Sequence, residues 1–248
     1  MPFKIAIASG KGGTGKTTVA VNLFHAIYQS VCKNIQLVDC DVEEPNDHIF
    51  FPDAIQQSEK QIIQLIPEIN KSQCNYCRKC AEYCEFNAIV IIPQARFAEV
   101  NTSLCHSCGA CLAACNQNAI TETNYSIGKT GIFDLKKGKG LLEGNLKIGS
   151  AMQTALIRGL KKQVFPDSEI ILYDAPPGTS CPVVESVIDA DFVILVTEPT
   201  PFGLHDLKLM LEILEEIKKP FGIVINKAGL GSNDIYDLIK TKNLELMG

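Results

Sequence analysis

Eight of the eleven cysteines in the chain lie between Cys74 and Cys115, in two runs of one form, C-x-x-C-x-x-C-x-x-x-C. Cys74, Cys77, Cys80 and Cys84 make the first run, and Cys105, Cys108, Cys111 and Cys115 repeat it 31 residues later. Asn87-Ala88-Ile89 recurs at the same offset as Asn118-Ala119-Ile120, so the segment holds two copies of one unit. Thiolates are soft ligands, and three at this spacing can wrap one face of an iron–sulfur cube. Zinc is the alternative, although four-cysteine zinc sites commonly join two separated C-x-x-C pairs rather than three consecutive ligands and a fourth. A second constellation precedes the first. Gly10-Lys11-Gly12-Gly13-Thr14-Gly15-Lys16-Thr17 fits G-x-x-x-x-G-K-[ST], between an expected strand and an expected helix. Its glycines let the backbone curl so that successive N–H groups face phosphate oxygens, and the helix N-terminus adds its dipole. In such a loop Lys16 pairs the β/γ-phosphates, Thr17 coordinates Mg²⁺ and Thr18 stands available to a further phosphate oxygen.

Those residues need elements to hold them. The chain has 248 residues, 46% apolar and 21% charged, with mean hydropathy near zero, which describes a soluble globular chain and excludes disorder and collagen-like repeats. Uninterrupted apolar runs such as Phe192 to Val196 are far short of a bilayer span, and no signal peptide precedes the glycine loop, so a cytoplasmic location is expected. There thiols stay reduced, which favours metal binding or catalysis over disulfides. A formal charge of −5 gives no drive toward nucleic acid or anionic lipid, though Lys129, Lys136, Lys137 and Lys139 form a local basic run read as a solvated hairpin. Alternation predicts strands over Phe3–Ala8, Ile35–Val38, Ile170–Tyr173, Phe192–Thr197 and Phe221–Ile225. Helical spacing predicts helices over Thr17–Ser30, Ala151–Lys162 and Leu204–Lys218. Strands alternating with helices imply α/β architecture with a mostly parallel sheet, and the cysteine segment is then an insert. The expected bounds are 1–68 and 141–248 for the α/β domain, 69–122 for the insert and 123–140 for a return hairpin or linker.

Lys11 is a second lysine inside the loop, and on it the chain resembles the deviant Walker A class of P-loop ATPases, which includes MinD, ParA, iron–sulfur carriers of the Mrp type and the nitrogenase iron protein. The resemblance implies that Lys11 reaches the nucleotide of a dimer partner. Leu37-Val38-Asp39-Cys40-Asp41 looks like the strand end of that class, implying that Asp41 orients the attacking water and Asp39 lies near the metal. Ile170-Ile171-Leu172-Tyr173-Asp174-Ala175-Pro176-Pro177-Gly178-Thr179 looks like its Walker B strand and switch II. By that likeness Asp174 holds Mg²⁺ through water and Gly178 turns its N–H toward the γ-phosphate. Asn226 stands where the class recognises adenine; Glu198-Pro199-Thr200 resembles its base-side loop and receives no chemical role. The class continues with another strand and helix, while 22 residues follow Asn226, so a shortened C-terminus is expected.

The cysteine runs are similar to those of bacterial two-cluster ferredoxins, in which the fourth cysteine of each run serves the other cluster. That resemblance implies one [4Fe–4S] cluster on Cys74, Cys77, Cys80 and Cys115 and a second on Cys105, Cys108, Cys111 and Cys84. Glu85 and Asn116 stand where a proline usually follows the fourth cysteine. Cys32, Cys40 and Cys181 read as packing residues, and His106 as a hydrogen-bonding neighbour of a cluster. The implied cofactors are ATP/ADP, Mg²⁺ and two [4Fe–4S] clusters. The implied activity is ATP hydrolysis and nucleotide-dependent dimerisation, with itself or a related ATPase, coupled to electron transfer or to iron–sulfur or metallocofactor assembly with a partner protein. A spatial-positioning ATPase and an electron-transfer module with a regulatory nucleotide site are the other readings.

Overall fold

The computed structural model describes residues 1–248. In chain order the elements are β1 (Phe3–Ala8), α1 (Lys16–Ser30), β2 (Ile35–Asp39), a 3₁₀ turn (Asp47–Phe50), β3 (Ile55–Ile69), α2 (Lys79–Glu82), β4 (Ile89–Ile92), β5 (Phe97–Val100), α3 (Ala110–Ala114), β6 (Ile120–Asp134), β7 (Leu141–Leu146), α4 (Gln153–Lys161), β8 (Ile170–Asp174), α5 (Cys181–Val187), β9 (Phe192–Thr197), α6 (Pro201–Glu216), β10 (Phe221–Ile225) and α7 (Asp234–Thr241). The main sheet has the order β10-β9-β1-β8-β2-β7-β6-β3, and the pairs β10/β9, β9/β1, β1/β8, β8/β2 and β2/β7 are parallel. Parallel strands covered on both faces must be apolar nearly throughout, which is what the short Ile, Leu and Val runs of β2, β8 and β9 supply.

The five strands and three helices expected from periodicity are present, with ends shifted by at most three residues. β3 was not expected. It lies at the sheet's edge, and its first half, Gln56-Gln57-Ser58-Glu59-Lys60, is polar and exposed, so it carries no apolar alternation to read. β6 and β7, neighbours joined by residues 135–140, are the strands of the expected return hairpin, but β6 already begins at Ile120. No separate linker therefore occupies 123–140. Beyond α7 the chain runs beside β10: the Ile223 N–H donates to the Glu245 carbonyl at 2.9 Å, and Ile223 forms a parallel bridge with Leu246.

The chain packs as two compact units, 1–60 with 130–145 and 157–248, and 61–129 with 146–156. In the first, Val21, Phe24 and Ile27 of α1 lie against Ile7, Leu37, Leu172, Ile194 and Val196 from four strands. Phe24 is fully buried and meets Phe51 edge-to-face at 5.6 Å. In the second, β4 and β5 form an antiparallel ribbon, and Ile89, Ile91, Ala98 and Ile120 pack with Tyr76, Cys80 and Cys111, with Cys74, Cys84 and Cys115 at the margin. So small a unit has little apolar surface to bury, and thiols occupy much of its centre. Its backbone repeats as its sequence does. Positive φ recurs at Tyr76 and Ser107 (58° and 55°), Arg78 and Gly109 (70° and 75°), and Asn87 and Asn118 (51° and 49°), each pair 31 residues apart, and α2 and α3 start at the same spacing.

Phe24 anchors α1, and with it the loop that α1 follows. Phe24→Ala should lower stability by about 3–5 kcal/mol, read from anaerobic urea denaturation of the full chain.

Candidate functional site

Residues 10–15 connect β1 to α1. Gly15 adopts φ +89°, and a Cβ there would sit 2.2 Å from Asn226 Nδ2, so the position accepts only glycine. The first hydrogen bond of α1 runs from Val19 N–H to the Gly15 carbonyl at 3.0 Å. The N–H groups of Lys16, Thr17 and Thr18 thus precede the helical ladder and carry the positive end of its dipole. That is the arrangement an anion-binding loop requires.

Carboxylates converge beside it because of strand register. β2 and β8 are parallel neighbours in which Asp39 pairs with Asp174, the last residue of each strand. The Lys16 ammonium donates to Asp174 Oδ1 at 2.6 Å and the Thr17 hydroxyl donates to Asp174 Oδ2 at 2.6 Å. Asp39 accepts three backbone N–H bonds, from Asp41 at 2.9 Å on Oδ1 and from Asn46 at 2.9 Å and Asp47 at 3.1 Å on Oδ2. It thereby ties down the segment following β2 and brings in Asp47, which the sequence reading passed over. Ligand oxygens of Asp39, Asp47 and Asp174 lie within 4.8 Å of one another, and all three residues are buried. Burial and the neighbouring Asp174 charge push the Asp39 carboxyl up to about 8, against the pull of its backbone donors. Asp47 is raised for the same reasons, burial first and then Asp39 and Asp174. Burial acts to lower Lys16, but the Asp174 charge outweighs it and the ammonium is held above its ordinary value. Asp41 is half-buried; burial raises its carboxyl and Lys16 draws it down.

The remaining loop partners are engaged within the chain. Lys11 Nζ donates to Glu198 Oε1, and Lys227 Nζ donates to Glu198 Oε2 at 2.7 Å and to the Gly13 carbonyl at 2.9 Å. Asn226 Nδ2 donates to the Thr14 carbonyl at 2.8 Å. The Gly178 N–H, expected to face a phosphate, donates instead to the Ser9 carbonyl at 3.1 Å, because φ +102° turns that peptide back onto the end of β1. Glu198 and Lys227 were missed as functional residues: Glu198 stands 187 positions from Lys11, and only the adjacency of β9 to β1 brings them together.

In the second unit, one cavity is lined by Cys74, Cys77, Cys80 and Cys115 together with Tyr76, Arg78 and Lys79, and another by Cys84, Cys105, Cys108 and Cys111 together with Phe86 and His106. Each encloses about 340 Å³, mouth included. Each takes three cysteines from one run and the fourth from the other. The N–H groups of Tyr76 and Ser107 donate to Cys74 and Cys105 sulfurs at 3.4 Å, equivalent bonds in the two copies. The Asp39, Asp47 and Asp174 group is the one set of three or more donors closing within 4.8 Å. Burial and neighbouring thiols raise Cys80 and Cys105, and Cys111 to about 11, as for groups whose ionised form needs a cation. His106 stacks on Phe86 with ring centres 3.8 Å apart, in the lining of the second cavity. Cys40 is fully buried and Cys32, half-buried, packs against the core of the first unit, as expected, whereas Cys181 is exposed at the start of α5.

Residues 5–248 match the CbiA family, the CobQ/CobB/MinD/ParA nucleotide binding domain. An uncharacterized protein of Methanocaldococcus jannaschii is 34% identical over 236 residues, 91% of this chain and 80% of its own length. The iron-sulfur cluster carrier protein of that organism is 23% identical over 242 residues, 91% of this chain and 60% of its own length. Among solved structures, the cell division ATPase MinD of Pyrococcus furiosus superposes with a TM-score of 0.54 at 19% identity, covering 99% of this chain and 81% of that one. No helix in the chain is long and apolar enough to cross a membrane.

Hydrogen bonds from Lys11 and Lys227 hold the Glu198 carboxyl at about 2, below its ordinary 4.5. A carboxyl depressed on folding adds stability that is complete above the unfolded value and disappears as pH falls toward the folded one. The gap in urea midpoint between wild type and Glu198→Gln is therefore expected to stay constant from about pH 8 to about pH 5 and to narrow only on further acidification.

Proposed function

Because the chain belongs to the CobQ/CobB/MinD/ParA nucleotide-binding family, we propose that it is an ATP-binding and ATP-hydrolysing iron–sulfur protein whose eight repeated cysteines hold two [4Fe–4S] clusters. The observation that carries this reading is the pair of four-cysteine cavities, each completed by a cysteine from the other run, in a chain that also carries a phosphate loop and buried carboxylates. Three consecutive cysteines and a fourth, rather than two separated pairs, favour clusters over single zinc ions, and a relative that is an iron-sulfur cluster carrier protein is in keeping with it. The clusters supply one-electron chemistry or deliverable iron and sulfide.

The nucleotide side works by positioning and charge. The amides of residues 10–18 cradle the phosphates, Lys16 neutralises charge on the transferring group, and Thr17, Asp39 and Asp174 hold Mg²⁺. Asp41, half-buried within the electrostatic reach of Lys16, orients the attacking water. Lys11 serves the nucleotide of a second copy or a related ATPase, for which it must first leave Glu198. Asn226 sits beside the loop and, on releasing Thr14, offers its amide to the adenine. The acceptor is a cytoplasmic redox or metallocofactor-assembly protein.

Anaerobically purified protein should contain about eight iron and eight sulfide per chain. Lys16→Ala should abolish ATP turnover with the iron content intact, and Cys77→Ala should lower iron to about four per chain. Turnover surviving in K16A would refute the nucleotide assignment, and stoichiometric zinc in place of iron would refute the cluster assignment.

A further inference from the structure

Asp47 is the buried group for which the site described so far has no use. It opens the 3₁₀ turn of residues 47–50, it is fully buried, and no N–H or hydroxyl donor meets its side-chain oxygens, which lie against the carboxyl groups of Asp39 and Asp174. Its neighbours are better provided for. Asp174 receives Lys16 and Thr17, and Asp39 receives three backbone N–H groups. The N–H of Asp47 is one of those three, so Asp39 itself fixes the turn from which the Asp47 carboxyl projects toward Asp174. As a carboxylate, an oxygen pair sealed from water with no donor is costly until a proton or a cation meets it. Lys16 offsets one charge when all three carboxyls are ionised, a state that a bound cation would favour.

We propose that Asp47 completes a site in which Asp39, Asp47 and Asp174 hold a hard divalent cation, Mg²⁺ or Mn²⁺, before any nucleotide binds. The mutual approach of their oxygens within 4.8 Å and the lack of any donor to the Asp47 oxygens both fit such an ion. In an ordinary P-loop site the ion is held by the loop hydroxyl, one strand-end carboxylate and the phosphates themselves, so it arrives with the nucleotide. A third buried carboxylate supplies negative oxygen where the phosphates otherwise do. The inference rests on the reading of the loop as a nucleotide site only for the order of binding; the carboxylate cage stands without it.

The test uses the full chain, purified anaerobically with its iron and freed of nucleotide, titrated with Mn²⁺ while the six-line EPR signal of free Mn²⁺ is followed. One Mn²⁺ per chain should bind in the absence of nucleotide and be displaced by Mg²⁺. Asp47→Asn should weaken that binding by about tenfold or more, with iron content and far-UV circular dichroism at the wild-type level; Asp47→Ser, smaller and neutral, serves if the amide variant does not fold. Wild type that takes up no Mn²⁺ until ADP is added overturns the proposal, and so does wild-type affinity in the Asp47 variants, which would make Asp47 a buried protonated acid. ADP binding in EDTA, measured on the same preparation, separates the two readings: ADP without Mn²⁺ refutes the cage alone, whereas neither ligand refutes the nucleotide site as well.

Discussion

Three carboxylates and one ammonium share a volume from which water is excluded, at the carboxyl ends of two neighbouring parallel strands. Because β2 and β8 run in register, Asp39 and Asp174 end side by side, and the end of a parallel sheet is where peptide N–H groups and helix N-termini also converge. Lys16 is drawn down onto Asp174, which fixes the first turn of α1 and the loop before it. Asp39 gathers the N–H groups of Asp41, Asn46 and Asp47, which fixes the segment after β2. Slipping β2 by one residue against β8 would move Asp39 to the other face of the sheet and undo both arrangements.

The two units answer one electrostatic problem with different atoms. In one, carboxylates crowd together; in the other, thiols do. Desolvation and neighbouring like groups disfavour ionisation in each, raising Asp39 and Asp47 in one and Cys80, Cys105 and Cys111 in the other. Hard oxygen donors suit Mg²⁺, while polarisable sulfur suits iron in a cluster. In the cysteine unit this chemistry is also the packing: Cys80 and Cys111 stand in the small core beside Ile89 and Ile91, so on the proposed reading the clusters complete that core.

The groups proposed to meet nucleotide are also satisfied internally. Lys16 rests on Asp174, Lys11 on Glu198, Asn226 on the Thr14 carbonyl and the Gly178 N–H on the Ser9 carbonyl. Each is a single hydrogen bond or ion pair that a phosphate, base or second chain can replace in kind. A site assembled from replaceable bonds stays folded while remaining ready to exchange partners, since a buried polar group is stable only when some partner meets it.

Much of this was local enough to read along the chain. The glycine loop, the apolar runs of β1, β2, β8, β9 and β10, and the doubled cysteine pattern all lie within short windows, where period, spacing and residue type carry the physics. Even the backbone of the insert follows its repeat, with positive φ recurring every 31 residues at Tyr76 and Ser107, Arg78 and Gly109, and Asn87 and Asn118. What no window contains is adjacency between distant strands. The polar edge strand β3 is held by its neighbour rather than by its own pattern. Glu198 became the partner of Lys11 only when β9 paired with β1, and Asp47 joined Asp39 and Asp174 only when β2 lay beside β8 and the following turn folded back. Residue type and spacing determined which chemistry this chain can do; the pairing of strands, a long-range choice that closes loops of more than a hundred residues, decided which charges meet.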